Sequence, residues 1–471
     1  MIIKHLLALA LGFAAAECVS PTCRAQMLTN TSLSVTVKPD DGSFSVATRP
    51  EANRQVLAAR PGGQIDGQWV RSNDYPEHHA TNSTFSDALG SGHQIRVTCS
   101  GLAGRPDLVY TLQVYDERPY ATIQVEVQNH TGKVVTVQDL RSIEAIGQPI
   151  VGIDGPESAD RVLSDSYSED WPRLVIYDLG SGPRQIHRAA WSQVIYNRQS
   201  KKSLFLGALS ADRFVTLMHL MYQGSGNDAK ITSYTVDSTG TTELQKENSL
   251  RQDPPEDAID LSLPLNDGQS MTSERVMIAT GSDYHDQLLE YGDAVRRLHN
   301  ARVSTPNLMG WWSWTSYYMA INQGAALSNA QWLADNLKSL GYRFFFIDEG
   351  YQYARGEYAT PNARLFPDGM RAVGDEVRQL GLTFGAWVAP FEVSDRAWVY
   401  ENHKDWLVHT ADGKPIPIAL TASAHGDTIY ALDATNPGAQ EYMRQMYTTL
   451  TREWGVRFFK FDFMDTASIE G

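Results

Sequence analysis

From Met27 to Ser282, polar and apolar residues alternate again and again with a period of two. The clearest run is Ala121 to Val127. Ile123, Val125 and Val127 share one face of it and Gln124 and Glu126 the other, the pattern of a half-buried strand. Ser32 to Val37, Gln94 to Thr98, Leu108 to Val114 and Lys202 to Leu206 predict further strands. Lys133 to Val137 follows the turn-forming Asn129-His130-Thr131-Gly132, which predicts a hairpin with the strand before it. Gly90-Ser91-Gly92 and Gly180-Ser181-Gly182 read as turns, because neither sits between a strand and a helix as a phosphate loop does. So many strands with hardly a helical period predict a large antiparallel sandwich over residues 27–282.

The period then changes. Leu288, Tyr291, Val295 and Leu298 recur at helical spacing, with Ser282 as a cap, so residues 283–305 read as a linker helix. From residue 306 one phrase occurs three times: amphipathic helix, glycine, buried strand. Leu333, Leu337 and Leu340 lead to Gly341 and the strand Arg343 to Ile347; Met370, Val373, Val377 and Leu380 lead to Gly381 and Thr383 to Val388. Met443, Met446, Leu450 and Trp454 lead to Gly455 and Arg457 to Phe461, after an Asn436-Pro437 start. Each glycine suits the left-handed position that ends a helix. Met309 to Trp314 adds a strand before the first repeat. Near-continuous apolar strands alternating with helices mean a parallel sheet, read here as a (β/α)8 (TIM) barrel over residues 306–471. The fold class is therefore multidomain, β plus α/β.

Charged residues gather where these strands end: Asp348 and Glu349 after Ile347, Glu392 shortly after Val388, and Asp462 after Phe461. That rim is where such barrels hold their chemistry. In Arg457 to Phe463, alternation sends Lys460 and Asp462 to one side and Phe459, Phe461 and Phe463 to the other. A lysine one pleat behind favours the ionised carboxylate that a nucleophile needs. A buried ion pair or a capping aspartate would leave the same trace. Glu392 reads equally as a loop residue, and Asp433 as the brace of the turn before Asn436.

A net charge of −15 argues against nucleic acid or an anionic membrane as a partner, while 11 Trp and 21 Tyr suit the apolar faces of a neutral sugar. Lys4 followed by the apolar run Leu6 to Ala16 reads as an export signal within residues 1–25, which predicts a periplasmic or extracellular protein. Cleavage after Ala25 leaves Cys99 alone, whereas cleavage after Ala16 leaves Cys18 and Cys23 able to pair. His78-His79 lacks partners at metal spacing and reads as surface histidines.

The phrases Gly310-Trp311-Trp312-Ser313-Trp314, Ile347-Asp348-Glu349-Gly350-Tyr351, Phe366-Pro367-Asp368-Gly369-Met370, Gly385-Ala386-Trp387, His403-Lys404-Asp405-Trp406, Leu432-Asp433-Ala434-Thr435-Asn436-Pro437 and Lys460-Phe461-Asp462 occur in that order. Together they resemble the α-galactosidases of glycoside hydrolase clan D, nearest to family 36, whose N-terminal β-supersandwich the long β region also resembles. The resemblance implies a retaining hydrolase of terminal α-galactosides on oligosaccharides or polysaccharides, with no metal or organic cofactor. It implies Asp462 as nucleophile, with Asp348, Glu349, Lys460, Trp312 and Trp387 contacting the sugar.

Three departures bear on this. Glu349 stands where the family usually has Asp, Tyr351 where it has Trp, and Met464 where it often has Asn. An α-N-acetylgalactosaminidase, a galactosyl-transferring enzyme and a non-catalytic sugar-binding protein stay open as alternatives. About 165 residues follow Pro306, against roughly 250 for a whole barrel, so about the first four βα units are expected. The family's general acid/base lies beyond the sixth strand, past Gly471, so the chain alone is expected to lack turnover.

Overall fold

The computed structural model describes residues 26–49, 54–164, 175–179, 186–240, 261–302, 307–418 and 426–469. The expected export signal, Cys18, Cys23 and the expected turn at Gly180-Ser181-Gly182 lie outside the described residues.

Among the described residues the alternating region forms two ten-stranded antiparallel sheets. One runs from Gln26–Thr29 through Gln55–Ile65, Val135–Ala145 and Lys230–Thr239 to Ile186–Ala190; the other contains Glu77–Asp87, Gly90–Ser100, Asp107–Tyr115, Tyr120–Gln128, Val276–Gly281 and Ser203–Ala208. Ile123, Val125 and Val127 are fully buried and join Val35, Val37 and Leu140 in one shared core. Each such side chain contributes roughly 1.5–3 kcal/mol on burial.

Two local expectations are corrected. Tyr120–Gln128 and Val135–Ala145 do not form a hairpin, because they belong to different sheets. Asn129 explains the crossing. Buried in the bend, it donates its amide to the carbonyls of Lys133 and Leu265, at 2.7 and 2.9 Å, and accepts from the backbone of Thr131. That turns the chain across the core instead of back along the same sheet. Gly90 and Gly92 likewise belong to a strand, the bend falling at Ala88-Leu89. A Cβ on Gly92 would lie 2.2 Å from the Val114 carbonyl oxygen, so close strand approach accounts for that glycine.

The helix Tyr284–Leu298 is capped by Asp283, not Ser282: the Asp283 carboxylate accepts the His285 N–H at 2.8 Å. Leu288, Tyr291, Val295 and Leu298 pack with Phe205, Met277 and Ala279 of the second sheet, as their spacing predicts. Tyr291 adds a hydrogen bond to the Ala208 carbonyl at 2.8 Å.

The repeats form a four-stranded parallel sheet in chain order, Gly310–Trp312, Phe344–Ile347, Thr383–Val388 and Phe458–Phe461. The helices Gln323–Asn336, Gly369–Gln379 and Pro437–Thr448 connect them. Gly341, Gly381 and Gly455 all have positive φ at the helix ends. Asn436 caps its helix through the Gly438 and Ala439 N–H groups, and Asp433 braces the turn through Thr435. Between the third and fourth strands the chain inserts a two-stranded antiparallel sheet, Glu392–Ser394 with Ile429–Ala431. Consecutive parallel strands joined by helices are the (β/α) arrangement, here four strands and three connecting helices among the described residues.

Candidate active site

Because the four strands are parallel, their last residues share one rim. Asp462 extends the fourth strand by one step, donating its N–H to the Val388 carbonyl at 2.9 Å. Strand alternation then places the Lys460 and Asp462 side chains together. Lys460 Nζ lies 3.0 Å from Asp462 Oδ2 and 3.4 Å from Asp348 Oδ2, bridging the second and fourth strand ends. It also sits 5.1 Å from the centre of the Trp312 ring. Burial pulls the Lys460 ammonium down, but Asp348 and Asp462 outweigh it and hold the group above its ordinary value.

Both carboxylates are held by donors. Asp462 Oδ2 accepts the Trp387 indole N–H at 2.8 Å, and Oδ1 accepts the Phe463 backbone N–H at 3.2 Å. Asp348 accepts the Trp312 indole N–H at Oδ2 and the Glu349 N–H at Oδ1, 2.8 Å away, while its own N–H donates to Ser313 Oγ at 2.9 Å. Trp312 is 39% exposed and Asp348 only 1%, so the cluster opens to solvent past Trp312 with Asp348 at its floor.

Five of the six expected site residues, Trp312, Asp348, Trp387, Lys460 and Asp462, therefore form one hydrogen-bonded group. Glu349 is set apart. Its two oxygens bind Arg355 Nε and Nη2 at 2.8 and 2.9 Å, so it faces a cation where the sequence placed it beside Asp348 on the sugar. The Arg355 Nη1 donates to Glu392 at 2.6 Å, and all three residues are buried. Burial pulls the guanidinium down; its hydrogen bonds to Glu349 and the nearby Glu349 and Glu392 charges more than offset this.

Phe463 also departs from expectation. Its φ of +49° breaks the alternation, and its ring lies 6.5 Å from Trp387 and 4.8 Å from the Arg355 guanidinium carbon. Phe459 and Phe461 do share a face, stacked 5.8 Å apart. Sequence reasoning missed Arg355 and Tyr358, which no spacing rule singles out. Tyr358 donates to the Ala389 carbonyl at 2.7 Å and Tyr351 to that of Trp387 at 2.9 Å, bracing the third strand end from the neighbouring loop.

A parallel (β/α) sheet behind a large β-sandwich, with two carboxylates, a lysine and two indoles on its C-terminal rim, has the architecture and rim chemistry of the glycoside-hydrolase class. Within that class, residues 281–468 match the melibiase family. The chain is similar to a probable α-galactosidase C of Aspergillus flavus, 25% identical over 225 residues, 43% of this chain and 28% of the relative. It is similar also to the α-galactosidase AgaA of Geobacillus stearothermophilus, 24% identical over 32% of this chain and 20% of the relative. Among solved structures, the α-galactosidase of Lactobacillus brevis superposes with a TM-score of 0.64 at 13% identity, covering 93% of this chain and 63% of that one. A stachyose complex of the Geobacillus family-36 enzyme gives 0.63 at 12%, covering 93% and 65%. The matched region thus spans under a third of these curated relatives' length and just under two thirds of these solved chains. The fold is that of family-36 α-galactosidases, as the motifs imply.

Proposed function

We propose that this chain carries the nucleophile and the sugar-gripping residues of a retaining α-galactosidase, acting on terminal α-galactosides of oligosaccharides or polysaccharides. The observation that carries the reading is Lys460, held between Asp348 and Asp462 at 3.4 and 3.0 Å. A cation there pairs with both carboxylates and fixes where they lie, Asp462 for attack and Asp348 for gripping hydroxyls. The curated relatives are α-galactosidases, and solved neighbours hold stachyose and raffinose, which end in sugars of this kind.

In this mechanism an Asp462 oxygen bonds to the anomeric carbon as the bond to the leaving oxygen breaks, that oxygen taking a proton from a general acid. Water then attacks the same carbon, giving its proton back to that group and freeing the Asp462 carboxylate, and two inversions give retention. Trp387 keeps one Asp462 oxygen hydrogen-bonded and directs the other. Glu349 and Glu392 are both tied to Arg355, so neither serves as proton donor to the leaving group. The run Leu6 to Ala16 behind Lys4 supports export as part of this proposal.

The test uses a fluorinated α-galactosyl donor with a dinitrophenolate leaving group, which departs without protonation. A galactosyl adduct on the peptide containing Asp462, absent in Asp462→Asn and absent with the gluco isomer, is the expected result. Unlabelled protein, or an adduct on Asp348, would sink the assignment.

A further inference from the structure

One buried cation has no part in that mechanism. Arg355, 4% exposed, comes from the loop after the second barrel strand and reaches four residues at once. Its planar fork binds both Glu349 oxygens at 2.8 and 2.9 Å and Glu392 at 2.6 Å, while its guanidinium carbon lies 4.8 Å from the Phe463 ring centre and 5.6 Å from that of Trp387.

Two of these four, Trp387 and Phe463, bond directly to the reacting group, and the other two bond to its neighbours. Trp387 donates its indole N–H to Asp462 at 2.8 Å, and Phe463 donates its backbone N–H to the other Asp462 oxygen at 3.2 Å. The Glu349 backbone N–H donates to Asp348 at 2.8 Å. Glu392 accepts from Thr466 at 3.5 Å, four residues past Asp462. Phe463, with φ at +49°, holds an uncommon conformation for a bulky residue, and its ring lies against the guanidinium.

We propose that Arg355 is the positioning residue of the nucleophile: it holds Trp387 and the Asp462-Phe463 turn so that both Asp462 oxygens keep their donors. The proposal rests on the reading of Asp462 given above. A guanidinium suits the task because its donors lie in one rigid plane, fixing direction as well as distance. A lysine is a point charge on a flexible stem and cannot do this.

Two variants and three readouts test it. Arg355→Lys keeps the charge and loses the plane. Because that change can also unsettle folding by leaving a carboxylate poorly paired, the second variant combines Arg355→Met, Glu349→Gln and Glu392→Gln, leaving no charge unpaired. The readouts are the rate of Asp462 labelling by the fluorinated donor, galactose affinity by calorimetry, and the Trp387 indole N–H resonance in protein with 15N-labelled tryptophan, assigned with Trp387→Phe. In both variants labelling is expected to slow by about a hundredfold, the loss that follows when a reacting group is misplaced by roughly an ångström. Galactose affinity is expected to change by less than about threefold, since Asp348 and Lys460 still grip the sugar, whereas loss of a whole hydrogen bond would cost more. The indole resonance is expected to move upfield as its hydrogen bond to Asp462 lengthens. An unmoved resonance with wild-type labelling in the folded neutral variant overturns the proposal, and so does a loss of affinity parallel to the loss of labelling. If the wild-type protein is never labelled, the reading of Asp462 falls, and the indole resonance alone decides for or against Arg355.

Discussion

Trp387 and Asp462 are 75 positions apart in the chain, yet the indole N–H of one lies 2.8 Å from the carboxylate of the other. The strand register produces this meeting. Trp387 pairs with Lys460 on the neighbouring strand, and Asp462 is the next residue on that face. Trp387→Phe keeps the apolar ring and removes the donor. A hydrogen bond to a charged group contributes about 1.5–3 kcal/mol, so labelling of Asp462 is expected to slow about ten- to a hundredfold. An unchanged rate with an unchanged melting temperature would show that this donor does not matter to attack.

Asp348 is expected to separate binding from bond cleavage. Asp348→Ala removes the acceptor of the Trp312 indole and one of the two carboxylates facing Lys460. Galactose affinity should fall by about tenfold or more, the equivalent of one charge-assisted hydrogen bond. Calorimetry with galactose measures it directly, and unchanged affinity would assign Asp348 to structure.

Gly310 tests how closely the first two barrel strands must meet. A Cβ there would lie 1.9 Å from the Phe344 carbonyl oxygen, and backbone cannot swing aside as a side chain can. Gly310→Ala is expected to cost about 3 kcal/mol or more through overpacking. It should also displace Trp312, two residues along the same strand. Thermal melting together with galactose binding reads both effects, and a variant that melts with the wild type would show that the strand can slide.

Asp160 gives the sandwich a pH dependence. Burial pushes its carboxyl up to about 7; the hydrogen bond from Asn197 opposes this, and the charge of Glu157 adds to it. Unfolded, the group releases its proton near pH 3.9. Between those values the folded state holds more protons than the unfolded one. Raising the pH through that window therefore lowers stability, by on the order of 4 kcal/mol at most, and the loss is complete above about 7. Asp160→Asn should gain on the wild type in melting temperature from pH 4.5 to pH 8. A difference that stays constant with pH would exclude Asp160 as the source.

Much of this architecture was legible because it depends on local periods. Alternation placed Ile123, Val125 and Val127 in the core and Lys460 beside Asp462; glycine and asparagine marked the helix ends. Where the reading failed, a local signal had two outcomes. The turn residues at Asn129 serve a hairpin or a crossing between sheets equally well, and the choice was made by Leu265, 136 positions away. Ser282 and Asp283 both favour a cap, and only the observed dihedrals choose between them. The Glu349–Arg355–Glu392 group joins a loop to the inserted strand Glu392–Ser394, which meet only in the folded chain, so no period could announce it.

The buried amide of Asn129 bears on how the protein should be made. Asn30, Asn82 and Asn129 each begin an Asn-x-Ser/Thr triplet, the acceptor of N-linked glycans. The Asn129 nitrogen is committed to Lys133 and Leu265, and that of Asn30 to the carbonyls of Tyr115, Arg118 and Tyr120. Asn82 alone of the three is exposed. An oligosaccharide attached at Asn30 or Asn129 while the chain is still open would occupy the space where the two sheets are tied together. Passage through a eukaryotic secretory pathway is thus a route to misfolded product, whereas a bacterial host avoids the modification.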